Sequence, residues 1–368
     1  MVVHLVDPAA YTLPYDHALC EGIAAQGVEV HLYTSPFRYG SAPRPGRYRR
    51  HDHFYGAAAG RLGRLARHLP DELSYLRTAR ADVIHFQWLA AQPLDLLLLS
   101  AWPRRNRPPL VLTAHDILPR EGLPGQRAAQ RRLYRHFERV VVHSRYGEGA
   151  LLELGVEQER IVRIPHPALR PHLAEGERAQ LPAELAPPAG PVVLFAGILR
   201  PYKGLDLLLA AWAQLERFAA EREAVLWVCG YPRLDLATLP RPPRCQIVAR
   251  YLREGELTAL LEAGTVVVLP YRKLDSSGIA LLAVGMGKPL LLSRAGSFPE
   301  LADLGVARCV EAEDVDALAA ALAELLDDEV ARRRMGEAAL AAAAGPLAAE
   351  TVGAKTVALY RELVGEER

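Results

Sequence analysis

Short runs of consecutive apolar residues recur along the chain, separated by longer stretches in which apolar residues return every three or four positions. In the first half the runs are Val2 to Val6, Val28 to Tyr33, Asp82 to Phe86, Leu110 to Ala114, Val140 to His143 and Ile161 to Ile164. They read as buried strands, and the helical stretches between them begin near Asp16 and Pro93, and at Gly125 and Tyr146. Such alternation predicts βαβ units and a parallel sheet. Between Pro165 and Pro191 seven prolines interrupt any periodicity, which marks a linker. The pattern restarts at Val192, with strands expected at Val192 to Ala196, Val225 to Val228, Gln246 to Ala249, Val266 to Leu269, Leu290 to Ser293 and Ala307 to Val310. Helices are expected from about Leu205, Glu254, Ile279, Asp314 and Glu329. After the break at Gly345-Pro346 a last amphipathic helix runs from Leu347 to Val364. Its periodicity suits equally a helix that crosses back onto the first domain and one that covers the second sheet. The expected fold is α/β: a Rossmann-like domain over 1–166, a linker over 167–190, a second Rossmann-like domain over 191–345 and a C-terminal helix over 346–368.

Composition narrows the class. A chain of 368 residues, 50% hydrophobic and 24% charged, is long enough for two domains that each bury a core. Its longest apolar stretches, such as Leu94 to Ala101, fall short of the roughly 20 residues of a bilayer span. Met1 opens directly into Val-Val-His-Leu-Val, without a basic segment or cleavage site, so a cytoplasmic protein is expected. Four cysteines, with no C-x-x-C pair, indicate neither a disulfide framework nor a zinc site. The formal charge of +1 conceals an asymmetry: residues 1–166 hold 22 Arg, no Lys and 16 acidic residues, a balance of +6. Basic clusters at Arg44 to Arg50 and Arg127 to Arg139 read either as solvated faces or as a surface for peripheral contact with anionic lipid or an anionic acceptor. The Arg-rich helix has only Tyr134 and Phe137 for stacking, which argues against nucleic acid.

Several familiar motifs fail. Gly287-Lys288 is followed by proline and lacks the upstream glycine of a P-loop, and no G-x-G-x-x-G follows the first strand. G-x-S-x-G and H-E-x-x-H do not occur. Asp314-Val-Asp316 stands at a helix start, where capping explains it, and His51-Asp-His53 reads as a solvated cluster in a loop rather than a metal site.

The informative stretch is Val192-Val-Leu-Phe-Ala-Gly-Ile-Leu-Arg-Pro-Tyr-Lys-Gly-Leu-Asp206. A strand ends at Gly197, and Arg200 and Lys203 follow within one loop before a helix. Two cations at the carboxyl end of a strand, beside a helix N-terminus, suit a diphosphate. A second stretch carries the strand before Pro270-Tyr271, then Asp275, Ser276, Ser277, Gly278 and Ile279 at a helix start. The N–H groups of Ser277, Gly278 and Ile279 would point at an anion, and Asp275 would accept hydrogen bonds from sugar hydroxyls. Arg250, Tyr251 and Leu252 lie on the turn after another strand, and Gly230 ends a strand where backbone can come close. In the first half, His115 directly follows an apolar strand, with Asp116 beside it. Tyr15, Asp16 and His17 open a helix after the first strand, where Asp16 reads equally as a simple N-cap. Trp88 follows another strand, as a ligand-facing ring or as core.

The order of these elements resembles the retaining glycosyltransferases of family 4 (glycosyl transferases group 1). The resemblance covers nearly the whole chain and rests on Gly197 to Asp206, Val228-Cys-Gly230, Tyr251 to Leu257, Leu269-Pro-Tyr271, Gly287-Lys-Pro289 and Gly296-Ser-Phe-Pro-Glu300. Thr113-Ala-His-Asp116 and Val142-His-Ser144 add to it in the first half. It implies a GT-B fold with two domains facing a cleft, and transfer of a sugar from a nucleotide-sugar donor to a glycan, lipid-linked or small-molecule acceptor. It also implies retention at the anomeric carbon, with no metal and no cofactor beyond the donor. His115, Arg200, Lys203 and Asp275 would carry the chemistry. Gly197, Gly230, Arg250, Tyr251, Leu252, Tyr271, Ser276, Ser277, Gly278, Ile279 and Glu300 would hold the donor. Tyr15, Asp16, His17, Trp88 and Asp116 would lie on the acceptor side. One departure stands out: where the family carries two glutamates seven residues apart, this chain has Asp275 and Leu282, and Leu282 cannot hydrogen-bond a ribose. A general base at His17 would make the reaction inverting, and a nucleotide-sugar epimerase or a non-catalytic nucleotide-sugar scaffold are the rival functions.

Overall fold

The structure, a computed structural model, describes residues 1–56, 60–103, 105, 107–118 and 126–365. It divides into two compact units, Met1–Pro167 with Pro346–Arg368, and Ala168–Gly345. Unit 1 contains β1 (Val2–Asp7), α1 (Leu13–Ala24), β2 (Glu29–Thr34), β3 (Arg49–Asp52), α2 (Gly60–Thr78), β4 (Val83–Phe86) and α3 (Gln92–Ala101). These lead into β5 (Leu110–Thr113), α4 (Gln126–Tyr134), β6 (Arg139–Val142), α5 (Arg145–Glu153) and β7 (Ile161–Arg163). Unit 2 contains β8 (Val192–Ala196), α6 (Leu205–Gln214), α7 (Glu216–Glu221), β9 (Val225–Cys229), β10 (Cys245–Val248), α8 (Glu254–Ala263) and β11 (Val266–Leu269). It closes with α9 (Gly278–Gly285), β12 (Leu290–Ser293), α10 (Phe298–Asp303), β13 (Ala307–Val310), α11 (Val315–Asp327) and α12 (Glu329–Ala344). The last helix, α13 (Ala349–Val364), belongs to unit 1.

Both sheets are parallel. Their strand orders are β3-β2-β1-β4-β5-β6-β7 and β10-β9-β8-β11-β12-β13, and in each the order reverses beside the first strand of the unit. Helices on both faces explain why β4, β5, β8, β9, β11 and β12 are apolar at nearly every position and wholly buried. In sheets of this topology ligands bind outside the carboxyl ends of the strands, where the order reverses. That rule selects the loops after β1 and β4 in unit 1, and those after β8 and β11 in unit 2.

Helix α13 joins the core that α1 shares with the unit 1 sheet: Val352, Val357 and Tyr360 pack there with Leu13, Leu19 and Ile23. Close approach is achieved with small residues, since a β-carbon on Gly22 would lie 1.9 Å from the carbonyl oxygen of Ala349. The Tyr360 hydroxyl meets His85 Nδ1 at 2.6 Å, and His85 Nε2 meets Thr113 Oγ1 at 2.8 Å, so a polar chain crosses this core with its members satisfied.

Three expectations need correction. The segment containing His51 and His53 is not a solvated loop: Arg49–Asp52 pairs with β2 as an edge strand, and His51 stacks on Tyr33 with ring centroids 4.6 Å apart. The proline-rich segment is docked on unit 2 rather than free. Leu169 N donates to Leu281 O at 3.1 Å, Gln180 N donates to Gly255 O at 3.2 Å, and Glu184 grips Arg250. The first helix begins at Leu13 rather than near Asp16, with Pro14 in its first turn. The helix start expected at Gly125 lies outside the described residues. Asp314 caps α11 by accepting from Ala317 N at 2.8 Å. Among the described residues no helix is long and apolar enough to cross a membrane.

Candidate active site

The carboxyl edge of the unit 2 sheet is assembled by backbone contact. Gly197 and Gly230 end the adjacent strands β8 and β9 at φ of 112° and 149°. A β-carbon on Gly230 would lie 1.8 Å from the carbonyl oxygen of Gly197, so only glycine fits. The approach that Gly230 permits is therefore to its neighbour's backbone. Gly204, left-handed at φ 66°, caps α6, and a β-carbon there would meet the carbonyl oxygen of Pro270 at 2.1 Å. The loops after β8 and β11 are thus locked against each other at the switch point of the sheet. Arg272, which the sequence reading missed, adds a clasp. It donates two hydrogen bonds to Asp206 at 2.9 and 2.7 Å and one to Pro201 O at 3.1 Å, while its own N–H meets Tyr202 O at 2.8 Å. The Arg272 guanidinium holds the Asp206 carboxyl below its usual range, although burial works the other way.

On this frame the predicted cations come together. Lys203 Nζ lies 5.1 Å from the ring centroid of Tyr271 and 3.3 Å from where a Gly197 β-carbon would be. Arg200 precedes it in extended conformation, half-exposed, and no carboxylate pairs with it among the described residues. Asp275 and Ser276 are half-buried in the neighbouring loop. Ser277 caps α9 by accepting from Ala280 N at 3.4 Å, and the N–H groups of Gly278 and Ile279 open the helix. Nothing lies within 4 Å of a β-carbon on Gly278, so this helix end faces open space. Tyr271 is buried, with Phe298 packed 5.3 Å from its ring, and Glu300 stands half-exposed in the first turn of α10. Leu282 is buried in α9 as core. A separate hollow of about 570 Å³, lined by Tyr202, Asp206, Asp235 and Arg272 among others, includes none of the predicted donor residues.

The turn after β10 departs from expectation. Arg250 is not available to a base: Glu184 accepts from it at 2.7 and 2.9 Å and Glu256 at 2.9 Å on both oxygens. Arg250 in turn holds the Glu256 carboxyl down at about 2, and Glu256 also accepts from Arg253 N at the start of α8. Tyr251, 49% exposed, stacks instead on Tyr231 with centroids 4.3 Å apart and planes at 16°. Tyr231 follows Gly230 after β9, and Leu252 sits half-buried beside its partner. Two adjacent parallel strands, each followed by a tyrosine, build an exposed aromatic platform that the sequence reading saw only by half.

In unit 1 the carboxyl edge is lined with histidine. His115 follows β5, His143 follows β6 and His166 follows β7, with neighbouring rings 5.2 and 5.1 Å apart. Tyr15 fills their centre, 3% exposed, at 4.7 Å from His115, 5.3 Å from His143 and 4.6 Å from His166. Burial, and then the neighbouring imidazoles, push His115 well below its usual pKa; burial takes His143 to about 4 and His166 to about 3. These rings are neutral at physiological pH and present hydrogen-bonding nitrogens without charge. Trp88 stacks on His115 at 5.1 Å and 13° while its Nε1 donates to Thr12 Oγ1 at 2.9 Å. His115 Nε2 meets Gln87 Oε1 at 3.3 Å, and a cavity of about 30 Å³ is bounded by Trp88, His115 and Asp116.

The remaining acceptor-side residues are placed otherwise than expected. Tyr15 is core, not a surface contact. Asp16 is neither a cap nor exposed: it is fully buried in the first turn of α1, and neither oxygen has a donor among the described residues. Burial, and then the charge of Asp7 beside it, raise its carboxyl well above the usual range. His17 turns toward Tyr48, whose hydroxyl lies 3.1 Å from Nδ1.

Residues 15–168 match the family described as Glycosyltransferase Family 4, and residues 190–328 match the family described as Glycosyl transferases group 1. The chain is 31% identical over 186 residues to an MMP alpha-(1->4)-mannosyltransferase of Mycolicibacterium hassiacum, covering 47% of this chain and 43% of that one. It is 28% identical over 290 residues to a D-inositol 3-phosphate glycosyltransferase of Nocardia farcinica, covering 72% and 63%. The chain thus spans less than two thirds of either relative. In fold it is similar to Anabaena HepE, solved in complex with UDP-glucose, with a TM-score of 0.70 over 98% of this chain and 100% of that one at 16% identity.

Proposed function

We propose, for a chain that belongs to the family 4, group 1 glycosyltransferases, that it moves a sugar from a nucleotide-sugar donor to a hydroxyl of a glycan, lipid-linked or small-molecule acceptor. The observation that carries this reading is the carboxyl edge of unit 2. Arg200, Lys203 and the opening N–H groups of α9 stand around one switch point, with a two-tyrosine platform on the neighbouring loops. A diphosphate suits the cations and the helix end, and a flat base suits the exposed face of Tyr251. As the bond from the anomeric carbon to the β-phosphate oxygen breaks, negative charge grows on that oxygen, and Arg200 and Lys203 stabilise it. The acceptor oxygen bonds to the anomeric carbon on the same face, and its proton passes to the departing phosphate. Asp275 holds sugar hydroxyls, with Glu300 beside the same loops. Neutral His115, whose Nε2–H is taken by Gln87 Oε1 and whose ring stacks on Trp88 in unit 1, accepts a hydrogen bond from a sugar or acceptor hydroxyl.

The step needs neither a protein nucleophile, a metal nor a cofactor. His17, the base that an inverting route would use, is turned to Tyr48, which supports retention. With Leu282 in the core, base recognition falls to the tyrosine platform and to backbone groups. We place the protein in the cytoplasm, where the arginine excess of residues 1–166 suits contact with an anionic surface. The test is turnover of a matched donor and acceptor in excess EDTA, with the coupling constant of the product's anomeric proton read by NMR. Nucleoside diphosphate release that depends on acceptor, giving the donor's own anomer, is the expected result; the opposite anomer or a requirement for added metal would overturn the mechanism.

A further inference from the structure

Outside the proposed reaction site, unit 1 brings three ionisable side chains together between α2 and α3. His68 and Glu72 lie one turn apart on α2, and Asp95 comes from the first turn of α3. All three are buried, and one potential ligand atom of each lies within 4.8 Å of the other two. His68 Nε2 and Asp95 Oδ1 are 2.6 Å apart.

We infer that this cluster is a binding site for a divalent cation of the zinc class, held by His68 Nε2, a Glu72 carboxylate oxygen and Asp95 Oδ1, and that the ion clamps α2 to α3. A single hydrogen-bonded pair would account for His68 and Asp95 alone. Glu72 is what remains: it is 4% exposed, no hydrogen-bond donor meets it among the described residues, and its carboxyl faces the same point as the other two. A carboxyl this enclosed, with no donor to meet it, gains from a charged partner, and a cation supplies one. Two carboxylates and a neutral imidazole also balance a double positive charge, and the mixture of one nitrogen and two oxygens suits Zn²⁺ better than Mg²⁺.

The surroundings match those of a metal-binding histidine. His68 Nδ1 lies 2.9 Å from the Tyr55 hydroxyl, which fixes the ring and leaves Nε2 for the ion. Asp95 Oδ2 accepts from Ala91 N at 2.9 Å, which anchors the carboxylate and presents Oδ1 inward. Tyr55 is itself held by its backbone N–H, which donates to Asp71 Oδ2 at 2.7 Å. Bonds of about 2.0–2.2 Å in a tetrahedral arrangement place ligand atoms roughly 3.3 Å apart, so from 2.6 Å His68 and Asp95 separate by about 0.7 Å while Glu72 moves in.

The test uses the full chain, stripped with EDTA and titrated with Zn²⁺ against a chromophoric chelator, with melting temperature followed in parallel. One equivalent should bind and raise the melting temperature, while Mg²⁺ at the same concentration should not. Glu72→Gln, which keeps the size of the side chain and removes its charge, should remain folded and bind about a hundredfold more weakly. Asp95→Asn serves as a second ligand variant should the first lose its fold. A histidine pair elsewhere in this unit, His31 and His51 with ring nitrogens 3.0 Å apart, provides the control. His51→Ala should leave the titration unchanged. No binding to the wild type, or binding lost in His51→Ala and kept in Glu72→Gln, would overturn the site.

Discussion

The two sheets present chemically opposite edges. Unit 1 draws on eleven of the chain's twelve histidines and no lysine before residue 167, and its carboxyl edge is closed by imidazoles that burial keeps neutral. Unit 2 holds a single histidine, and its edge is opened by glycines and furnished with Arg200, Lys203 and a helix N-terminus. The same doubly wound topology therefore supports two recognition strategies. Uncharged donors and acceptors suit hydroxyl groups, whose hydrogen bonds must be matched one by one. Fixed positive charge suits a diphosphate, whose charge grows during the proposed reaction.

The largest expected effect comes from removing the charge of the unit 2 edge. Lys203→Ala should lower turnover by about 10²–10³-fold, the usual consequence of losing one group that stabilises developing charge, with the melting temperature nearly unchanged. The equivalent loss at the other edge, His115→Ala, should be smaller and should depend on the acceptor or sugar used. Kinetics of both variants on one donor and acceptor pair would sharpen or erase the contrast.

Next in size is Gly230→Ala. The added carbon collides with the Gly197 backbone at a φ that L residues rarely adopt, so stability should fall by about 2–3 kcal/mol, read as a lower denaturant midpoint. Gly278→Ala, where open space meets the new carbon, should be neutral within about 1 kcal/mol.

Acid should separate the units. The buried imidazoles of His85, His143 and His166 bind a proton more weakly folded than unfolded, so their contribution to stability is complete above about pH 6.5 and is lost as pH falls toward the folded values. The buried carboxyls of Asp7 and Asp16 work in the opposite sense, since carboxyls raised by folding favour the folded state as pH falls. Comparing a variant with the wild type cancels that opposing contribution. His143→Gln should lose about 1–2 kcal/mol less stability than the wild type between pH 7 and pH 5. The effect should follow Trp88 and Trp102 fluorescence, which reports unit 1, and not that of Trp212 and Trp227. Equal acid loss in both chains would remove the imidazoles from the account.

The smallest expected change is at the platform. Tyr251→Ala should raise the donor KM by about tenfold, since stacking of a base on one aromatic contributes about 1–3 kcal/mol, and should leave kcat little altered.

How much of this was legible in the sequence follows from what each element uses to fold. Buried strands announce themselves as apolar runs, and twelve of the thirteen strands among the described residues were readable from Val2 to Val310. Strand β3 was not, because Arg-Arg-His-Asp at a sheet edge carries no such run and is held by stacking of His51 on Tyr33. Nor was α2, whose apolar positions are interrupted by Arg, His and the internal Pro70. With α2 unseen, the turn that sets His68 above Glu72 was invisible, and Asp95 gave no hint of joining them. Strand-end motifs located Arg200, Lys203 and the Ser277 cap. They misjudged Arg250, because the glutamates that occupy it lie at positions 184 and 256, and sequence spacing does not reveal such partners. Tyr231 had a readable signal, since a tyrosine follows each of two successive strand ends.

The most direct test of the donor edge is a thermal-shift panel of nucleoside diphosphates and nucleotide sugars on wild type and Lys203→Ala, because a ligand that binds only the folded chain must raise its melting temperature. A selective rise with one nucleotide sugar, greatly reduced in Lys203→Ala, is the predicted result. An equal rise in both proteins, or none with any member of the panel at millimolar concentration, would contradict the assignment of that edge to the donor.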